Sequence, residues 1–345
     1  MKFSFKNDYS EGCHPNILKA LSEYNLDQQA GYGDDEYSVK AKALIREKIR
    51  NPDADIHFVS GGTQANLIVI SSILRPYQCV ISASTGHILN NETGAIEATG
   101  HKILGIETED AKLRPSDIIP ILENHKNIPH QVMPKLVYIS NSTELGTVYN
   151  TEELRELSAF CKQNNLYLFM DGARMGQGLT SEISDLTLER VAELTDVFYL
   201  GGTKNGALLG EAIVINNPDL REDFAFNIKQ KGALLAKGRL LGIQFLELMK
   251  NDVYFDLAKH ANHQAMKMKE AMRKRGVRFL SDTYTNQIFP ILSNHMIQVL
   301  SEKFEFYVWK KIDEHHSAVR LITSWNTSDQ AVDDFIEVIA VNYPQ

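Results

Sequence analysis

Two short stretches decide how this chain is expected to fold: Phe169-Met170-Asp171-Gly172-Ala173-Arg174 and Tyr199-Leu200-Gly201-Gly202-Thr203-Lys204-Asn205-Gly206. Each begins with an apolar run typical of a buried strand and ends in small residues around a charged side chain. Ligands of open α/β sheets bind beyond the carboxyl ends of the strands, which is where Asp171 and Lys204 would lie. Taken singly, Asp171 could cap a helix and Lys204 could lie in a solvated turn.

Similar apolar runs, rich in β-branched and aromatic residues, recur through the first two thirds of the chain. They occupy residues 56–59, 79–81, 102–106, 136–139 and 212–215. Amphipathic segments such as residues 151–164 lie between most of them. This alternation predicts an α/β fold, with a mostly parallel sheet wrapped by helices in a large domain over residues 1–235.

The pattern changes after Pro218. Long helical segments are predicted at residues 234–249 and 255–274, strands at 277–280, 287–291 and 318–322, and a closing helix at 328–341. These elements predict a smaller C-terminal α+β domain over residues 236–345, which includes the inter-domain helix. Because no Gly/Ser-rich linker separates the two domains, we expect a packed junction, where binding sites are common.

Composition excludes several classes of function. The 345 residues include 36 Lys and Arg against 44 Asp and Glu, a net charge of −8 that would repel nucleic acid. Three widely spaced cysteines indicate a reducing compartment, and the first ten residues resemble no export signal, so we expect a cytoplasmic protein without a membrane partner. The histidine pairs at 260/263 and 315/316 lack companion ligands, so no metal site is predicted.

A glycine turn supplies a third candidate feature. Ser60-Gly61-Gly62-Thr63-Gln64 follows a predicted strand and opens a helix. Such a turn offers unpaired backbone N–H groups, a helix N-terminus and a hydroxyl, all of which suit a phosphate. A tight strand-to-helix turn explains the same residues, because short glycine-rich turns are weak evidence alone.

The order of the three features is more informative than any one of them. A glycine turn, a strand-end aspartate and a strand-end lysine are what pyridoxal 5′-phosphate (PLP) requires. The phosphate would bind at the helix start, Asp171 would pair with the protonated pyridine nitrogen, and Lys204 would bond to the aldehyde. We therefore expect PLP as the cofactor.

The sequence resembles the fold-type-I PLP enzymes and, among them, the threonine aldolase or β-eliminating lyase family. The matching motifs are Asn7-Asp8, residues 32–35, residues 62–66, His87, residues 171–174, Lys204 and residues 319–322. The resemblance implies a PLP-dependent transferase-like large domain, with an N-terminal arm that contributes to the site. It also implies a homodimer or homotetramer.

The same resemblance implies roles for individual residues. The cofactor would be bound by Gly61, Gly62, Thr63, His87, Asp171, Arg174, Thr203 and Lys204. His87 would stack on the pyridine ring. The amino acid substrate would be bound by Asn7, Asp8, Arg174 and Arg320, the two arginines facing its α-carboxylate. A planar guanidinium suits a carboxylate.

The implied reaction is cleavage of a β-hydroxy-α-amino acid, threonine or allo-threonine, to glycine and an aldehyde. Lys204, His87 and Glu144 are the candidate catalytic residues, and Glu144 stands where the family has a histidine. The base could be His87, Glu144 or a water held by either. A related PLP-dependent β-eliminating lyase, a racemase-like enzyme and a non-catalytic PLP-binding regulatory protein remain alternatives.

Two features near the predicted site have no single interpretation. Trp325 either lines the pocket or packs against the core. The family has an arginine near position 235 that is often linked to the cofactor phosphate, and Lys231, Lys237 or Arg239 could replace it here.

Overall fold

The structure, a computed structural model, describes residues 2–342. Its strands are β1 (Phe3–Ser4), β2 (Asp55–Val59), β3 (Gln78–Ala83), β4 (Lys102–Ile106), β5 (Met133–Ser140), β6 (Tyr167–Asp171), β7 (Val197–Gly201), β8 (Glu211–Ile215), β9 (Gln287–Ile288), β10 (Ile291–Ser293), β11 (Phe304–Glu305), β12 (Tyr307–Lys311) and β13 (His316–Ile322). Its α-helices are α1 (Pro15–Glu23), α2 (Glu36–Lys48), α3 (Gly62–Ile73), α4 (His87–Asn90), α5 (Pro115–Asn124), α6 (Thr151–Gln163), α7 (Met175–Leu179), α8 (Leu188–Leu194), α9 (Phe224–Gln230), α10 (Arg239–Met249), α11 (Val253–Arg273), α12 (Asn294–Lys303) and α13 (Asp329–Asn342).

The large sheet has the strand order β2-β8-β7-β6-β5-β3-β4. Strands β7, β6, β5, β3 and β4 are parallel to their neighbours within that run, whereas β8 is antiparallel to both β7 and β2. The predicted mostly parallel sheet is therefore confirmed. The carboxyl ends of β5, β6 and β7 lie at one edge, so the residues that follow them come together.

Side chains of the large sheet alternate between two hydrophobic clusters. Along β7, Phe198 and Leu200 belong to one cluster, and Val197 and Tyr199 belong to the other. Helices cover both faces, which explains why the strands are apolar along their whole length rather than at every second position.

Helix α6 illustrates how local sequence sets these boundaries. The Asn150 side chain accepts a hydrogen bond from the Glu153 N–H at 2.8 Å, and Glu153 Oε2 accepts one from the Asn150 N–H at 3.0 Å. This reciprocal capping box satisfies two N–H groups that the helix leaves unpaired. The predicted helix is present.

The C-terminal part forms a smaller sheet in which β13 lies between β10 and β12 and also pairs with β9. The predicted strand at 277–280 is wrong: only Phe279 forms a bridge, to Pro290, because the chain bends at Leu280 and Ser281. The sequence analysis missed β12, an edge strand whose five residues are all exposed.

The N-terminal arm and helix α10 each pack against elements on the other side of the predicted domain boundary. Strand β1 pairs with β11, and Phe5 lies in the hydrophobic cluster of the smaller sheet. Helix α10 packs against α2, and its Phe245 belongs to a cluster of the large sheet. The domain boundary at residue 235 stays a prediction.

No helix within residues 2–342 combines the length and apolar character needed to cross a bilayer. Within the same residues, no group of three or more His, Cys, Asp or Glu side chains is arranged to hold a metal ion. All three cysteines are buried and unpaired.

Candidate active site

The carboxyl-terminal edge of the large sheet opens into a cavity of about 540 Å³. Most of the predicted site residues line it, namely Asn7, Gly61, Gly62, Thr63, His87, Glu144, Asp171, Arg174, Thr203, Lys204 and Arg320. They come from both parts of the chain, including the N-terminal arm and β13. Of the predicted residues, Asp8 alone is absent from the lining, because it is fully buried behind Arg174.

The glycine turn lies at the start of α3. Gly61 is the N-terminal cap residue and provides no side chain to pair with the first N–H groups of the helix. Those N–H groups are therefore available for an anion at a positive helix end. Gly62 has little room for a side chain, since an added Cβ would lie 3.1 Å from Tyr199 Oη.

Asp171 ends β6 and accepts four hydrogen bonds from the protein. Tyr199 Oη (2.6 Å) and the Ala173 N–H (2.9 Å) donate to Oδ1. Tyr138 Oη (2.6 Å) and Asn66 Nδ2 (3.1 Å) donate to Oδ2. Burial is the largest influence and acts to raise the pKa of Asp171, but the hydrogen bonds from Tyr138, Tyr199 and Ala173 together with the nearby His87 lower it overall. The carboxylate is thus held ionised inside the protein.

Lys204 lies in the loop that follows β7, between Thr203 and Asn205. Gln177 Nε2 donates to its backbone carbonyl at 3.3 Å, which ties this loop to α7. Burial, and then the positive charge of Arg174, lower the pKa of Lys204. A lowered pKa increases the fraction of neutral amine, the form that reacts with carbonyls.

Glu211 faces the same cavity and was missed by the sequence analysis. It begins β8, where it pairs in register with Gly201 and Val59, and its Oε2 accepts the Gly202 N–H at 3.0 Å. Burial raises its pKa to about 8. The sequence did offer one signal for Glu211, because a charged residue directly precedes the apolar run at residues 212–215.

Arg174 is paired with a buried carboxylate. Its Nε lies 2.7 Å from Asp8 Oδ2 and its Nη2 lies 3.0 Å from Asp8 Oδ1. Asn286 Nδ2 donates to Asp8 Oδ2 at 2.9 Å. Burial is the largest influence and acts to raise the pKa of Asp8, but the charges of Arg174 and Lys204 together with the hydrogen bonds from Arg174 and Asn286 lower it overall. Asp8 therefore positions Arg174 from behind.

Arg320, on β13, lies close to two aromatic rings of β12. Its guanidinium carbon is 4.7 Å from the centroid of Trp309 and 5.4 Å from that of Tyr307. Its Nε is buried and has no partner. Trp309 lines the cavity, whereas Trp325 lies outside the lining, near the ring of His14. The tryptophan of the site is therefore Trp309 rather than Trp325, and its strand was not recognised in the sequence.

His87 begins α4 and is held at its ring and at its backbone. Its Nδ1 lies 2.8 Å from Oε1 of the buried Glu92, and its N–H donates to Glu144 Oε1 at 3.0 Å. Ser140 Oγ donates to the same Glu144 oxygen at 2.8 Å. Burial raises the pKa of Glu144. His87 and Glu144 therefore lie side by side, and Glu92 is a supporting carboxylate that the sequence analysis missed.

The three residues considered from the sequence as partners of the cofactor phosphate lie outside the cavity lining. Lys231, Lys237 and Arg239 do not line the cavity, and the Arg239 guanidinium donates to the carbonyls of Asn25 and Asp27. Among the cavity-lining residues of the described chain, the Lys and Arg side chains are those of Arg174, Lys204 and Arg320.

Comparison with known proteins agrees with this geometry. Residues 7–295 match the model of the beta-eliminating lyase family. The chain is 34% identical to the low specificity L-threonine aldolase of Pseudomonas aeruginosa over 333 residues, which cover 95% of this chain and 94% of the relative. A solved structure of Leishmania major threonine aldolase superposes with a TM-score of 0.96 at 48% identity, over 98% of both chains.

A more distant structure shows the fold alone. Thermus thermophilus aspartate aminotransferase superposes with a TM-score of 0.73 at 15% identity, over 99% of this chain and 91% of that chain. The resemblance inferred from the sequence motifs is confirmed. The chain belongs to the beta-eliminating lyase family and is a lyase with the architecture of the fold-type-I PLP enzymes.

Proposed function

We propose that the chain binds PLP through Lys204 and cleaves a β-hydroxy-α-amino acid, threonine or allo-threonine, to glycine and an aldehyde. The observation that carries this proposal is the meeting of Lys204, Asp171 and the start of α3 in one cavity. The names of the P. aeruginosa and L. major relatives support the choice of substrate.

The residues of the cavity fit the cofactor. The backbone N–H groups after Gly61 suit its phosphate, with the Thr63 and Thr203 hydroxyls close by in the lining. Asp171, ionised by its hydrogen bonds, suits a cationic ring nitrogen, and the His87 ring offers a flat surface for stacking. When bound, PLP supplies an electron sink for the electrons of the bond that breaks at Cα.

Arg320 and Arg174 would hold the substrate α-carboxylate. Asp8 holds Arg174 in place, and Tyr307 and Trp309 hold the plane of Arg320. Both guanidinium groups are therefore already ordered before the substrate binds. Holding the carboxylate would also fix the orientation of the substrate at Cα, and so would select the bond that is broken. Asn7 lines the same cavity.

Two side chains suit removal of the proton from the substrate hydroxyl. Glu144 is buried, which raises its pKa and makes its carboxylate a stronger base than an exposed glutamate. His87 has Nδ1 engaged by Glu92, so Nε2 is the nitrogen left to accept a proton. We assign the proton transfer to Glu144 or His87, or to a water between them.

A product assay tests the proposed reaction. Purified protein reconstituted with PLP is expected to release glycine and acetaldehyde from threonine or allo-threonine. Pyruvate and ammonia from a β-substituted amino acid would instead support a β-eliminating lyase, and inversion at Cα without cleavage would support a racemase. Protein that carries PLP but converts none of these substrates would support a non-catalytic regulatory role.

We also propose that two copies of the chain complete the site. In the described chain, the Lys and Arg side chains that line the cavity are Arg174, Arg320 and Lys204. The two arginines are assigned above to the substrate carboxylate, and Lys204 is assigned to the aldehyde of the cofactor. A cation for the phosphate would then come from a second copy, in a homodimer or homotetramer. Light scattering that finds a monomer at the concentration of the activity assay would contradict this.

The three unpaired cysteines support a reducing compartment, for which we propose the cytoplasm. Cell fractionation that recovers the protein elsewhere would contradict this assignment.

A further inference from the structure

Asp171 has no free acceptor position. A carboxylate offers about four lone-pair sites on its two oxygens. Tyr199 Oη and the Ala173 N–H occupy two on Oδ1, and Tyr138 Oη and Asn66 Nδ2 occupy two on Oδ2. A further donor, such as a ring N–H, can therefore form a good hydrogen bond to Asp171 only after one of these four hydrogen bonds has broken.

The four hydrogen bonds to Asp171 differ in how easily they can be broken. The Ala173 N–H belongs to the backbone of the turn after β6. Asn66 is fixed within α3 and also donates to Glu92 Oε1 at 2.7 Å. Tyr138 and Asn66 lie outside the cavity lining, whereas Tyr199 is part of it.

The position of Tyr199 Oη makes it the exchangeable donor. It contacts Asp171 Oδ1, and it also lies 3.1 Å from where a Gly62 Cβ would be. The hydroxyl is thus close both to the start of α3 and to the carboxylate, and all three line the same cavity. A hydroxyl can also turn its hydrogen away without movement of the ring.

We propose that Tyr199 is a placeholder donor, which occupies Asp171 Oδ1 in the cofactor-free protein and releases it to the ring N–H of PLP, while Tyr138 stays on Oδ2. This inference rests on the proposed function. The arrangement has a physical reason: a buried carboxylate with unfilled acceptor sites is costly, and the tyrosine satisfies it until the cofactor arrives. The exchange makes cofactor binding weaker than it would be to an open carboxylate.

Cofactor affinity of the apoprotein tests this without reference to activity. Apoprotein is titrated with PLP, and the dissociation constant of Tyr199→Phe is compared with that of Tyr138→Phe, which loses a hydroxyl on the same carboxylate. Because Tyr199→Phe has no donor to displace, we expect it to bind PLP about fivefold more tightly than wild type, the size of one net hydrogen bond. Tyr138→Phe is expected to bind with equal or lower affinity.

An analogue of PLP with C–H in place of the ring nitrogen provides the second comparison. It cannot donate to Asp171, so wild type and Tyr199→Phe are expected to bind it equally. A Tyr199→Phe variant that binds PLP no more tightly than wild type would overturn the inference. So would an equal gain with PLP and with the analogue, which would mean that loss of the hydroxyl at position 199 merely leaves more space.

A measurement on the wild-type protein covers the case in which a variant fails to fold. In apoprotein labelled with ¹³C at tyrosine Cζ, PLP is expected to shift the Tyr199 resonance more than the analogue does, and the Tyr138 resonance equally little with both. Equal shifts of Tyr199 with both ligands would contradict the exchange. If wild type does not take up PLP at Lys204 on borohydride reduction, the proposed function itself has failed, which is a different result.

Discussion

Arg174 and Asp8 form a buried ion pair that joins the N-terminal arm to the loop after β6, with Nε 2.7 Å from Oδ2 and Nη2 3.0 Å from Oδ1. The pair connects residues that are far apart in the sequence. It orients a guanidinium at the cavity wall, and it keeps an otherwise uncompensated carboxylate inside the protein.

Replacing Asp8 should affect both stability and substrate binding. Asp8→Asn leaves Arg174 without its anion, so we expect the free energy of unfolding to fall by about 3 kcal/mol and KM to rise severalfold. Denaturant unfolding and steady-state kinetics measure the two effects. The matched control is Glu152→Gln, which removes the anion of an exposed pair with Arg155 and should cost less than about 1 kcal/mol. Equal losses in the two variants would contradict the role of Asp8.

Removing the lysine amine should abolish the covalent attachment of the cofactor. Lys204→Ala is expected to lack the visible absorption band of lysine-bound PLP and nearly all turnover. Borohydride reduction followed by peptide mapping should find the pyridoxyl group at position 204 in wild type and not in the variant. Lys126→Ala, at an exposed position outside the cavity, is the control and should keep both properties. A Lys204→Ala variant that retains the band would remove Lys204 from its role.

Arg320→Ala should weaken substrate binding and leave the cofactor in place. Loss of a charge-assisted contact to the α-carboxylate is expected to raise KM by roughly 30- to 100-fold and to lower kcat/KM, with unchanged PLP content. Arg278→Ala, at an exposed position outside the cavity, is the control. Steady-state kinetics like those of wild type would refute the assignment of Arg320 to the carboxylate.

Glu144→Gln should change how stability depends on pH. The pKa of Glu144 is higher in the folded protein than its usual value of 4.5, so the folded state keeps a proton that the unfolded state has lost. This group therefore makes wild type lose stability as pH rises from about 4.5 up to the raised pKa, after which its contribution is constant. The glutamine does not titrate, so the variant should gain stability relative to wild type across that interval.

Thermal unfolding of the apoprotein at several pH values measures this difference. Glu314→Gln, at an exposed surface position, is the control, and its stability should change with pH in the same way as that of wild type. A stability difference between Glu144→Gln and wild type that does not increase with pH would show that Glu144 is not a carboxyl with a raised pKa. If Glu144 also transfers the proton, kcat should fall by about 10²-fold or more in the variant.

The sequence predicted the large sheet well because each of its strands is buried on both faces and is therefore continuously apolar. It failed at β12, where all five residues are exposed and give no apolar signal, and at residues 277–280, where strand-like composition forms a single bridge. For the same reason the sequence analysis considered Trp325 rather than Trp309. Asp171 and Lys204 were singled out because strand ends and small neighbours mark them, whereas the roles of His87, Glu144, Arg174 and Arg320 were predicted from the family resemblance.

The sequence by itself determined the fold class and the family, and it singled out Asp171 and Lys204 at the cavity, since motifs and strand ends can be read from the residues in order. The tertiary structure alone decided which partners surround each group: the tyrosines on Asp171, Asp8 behind Arg174, Glu92 behind His87, and Glu211 beside the Lys204 loop. Those partners come from distant positions in the chain. Burial and hydrogen bonding set the charge of an ionisable group, and both depend on contacts that only folding creates.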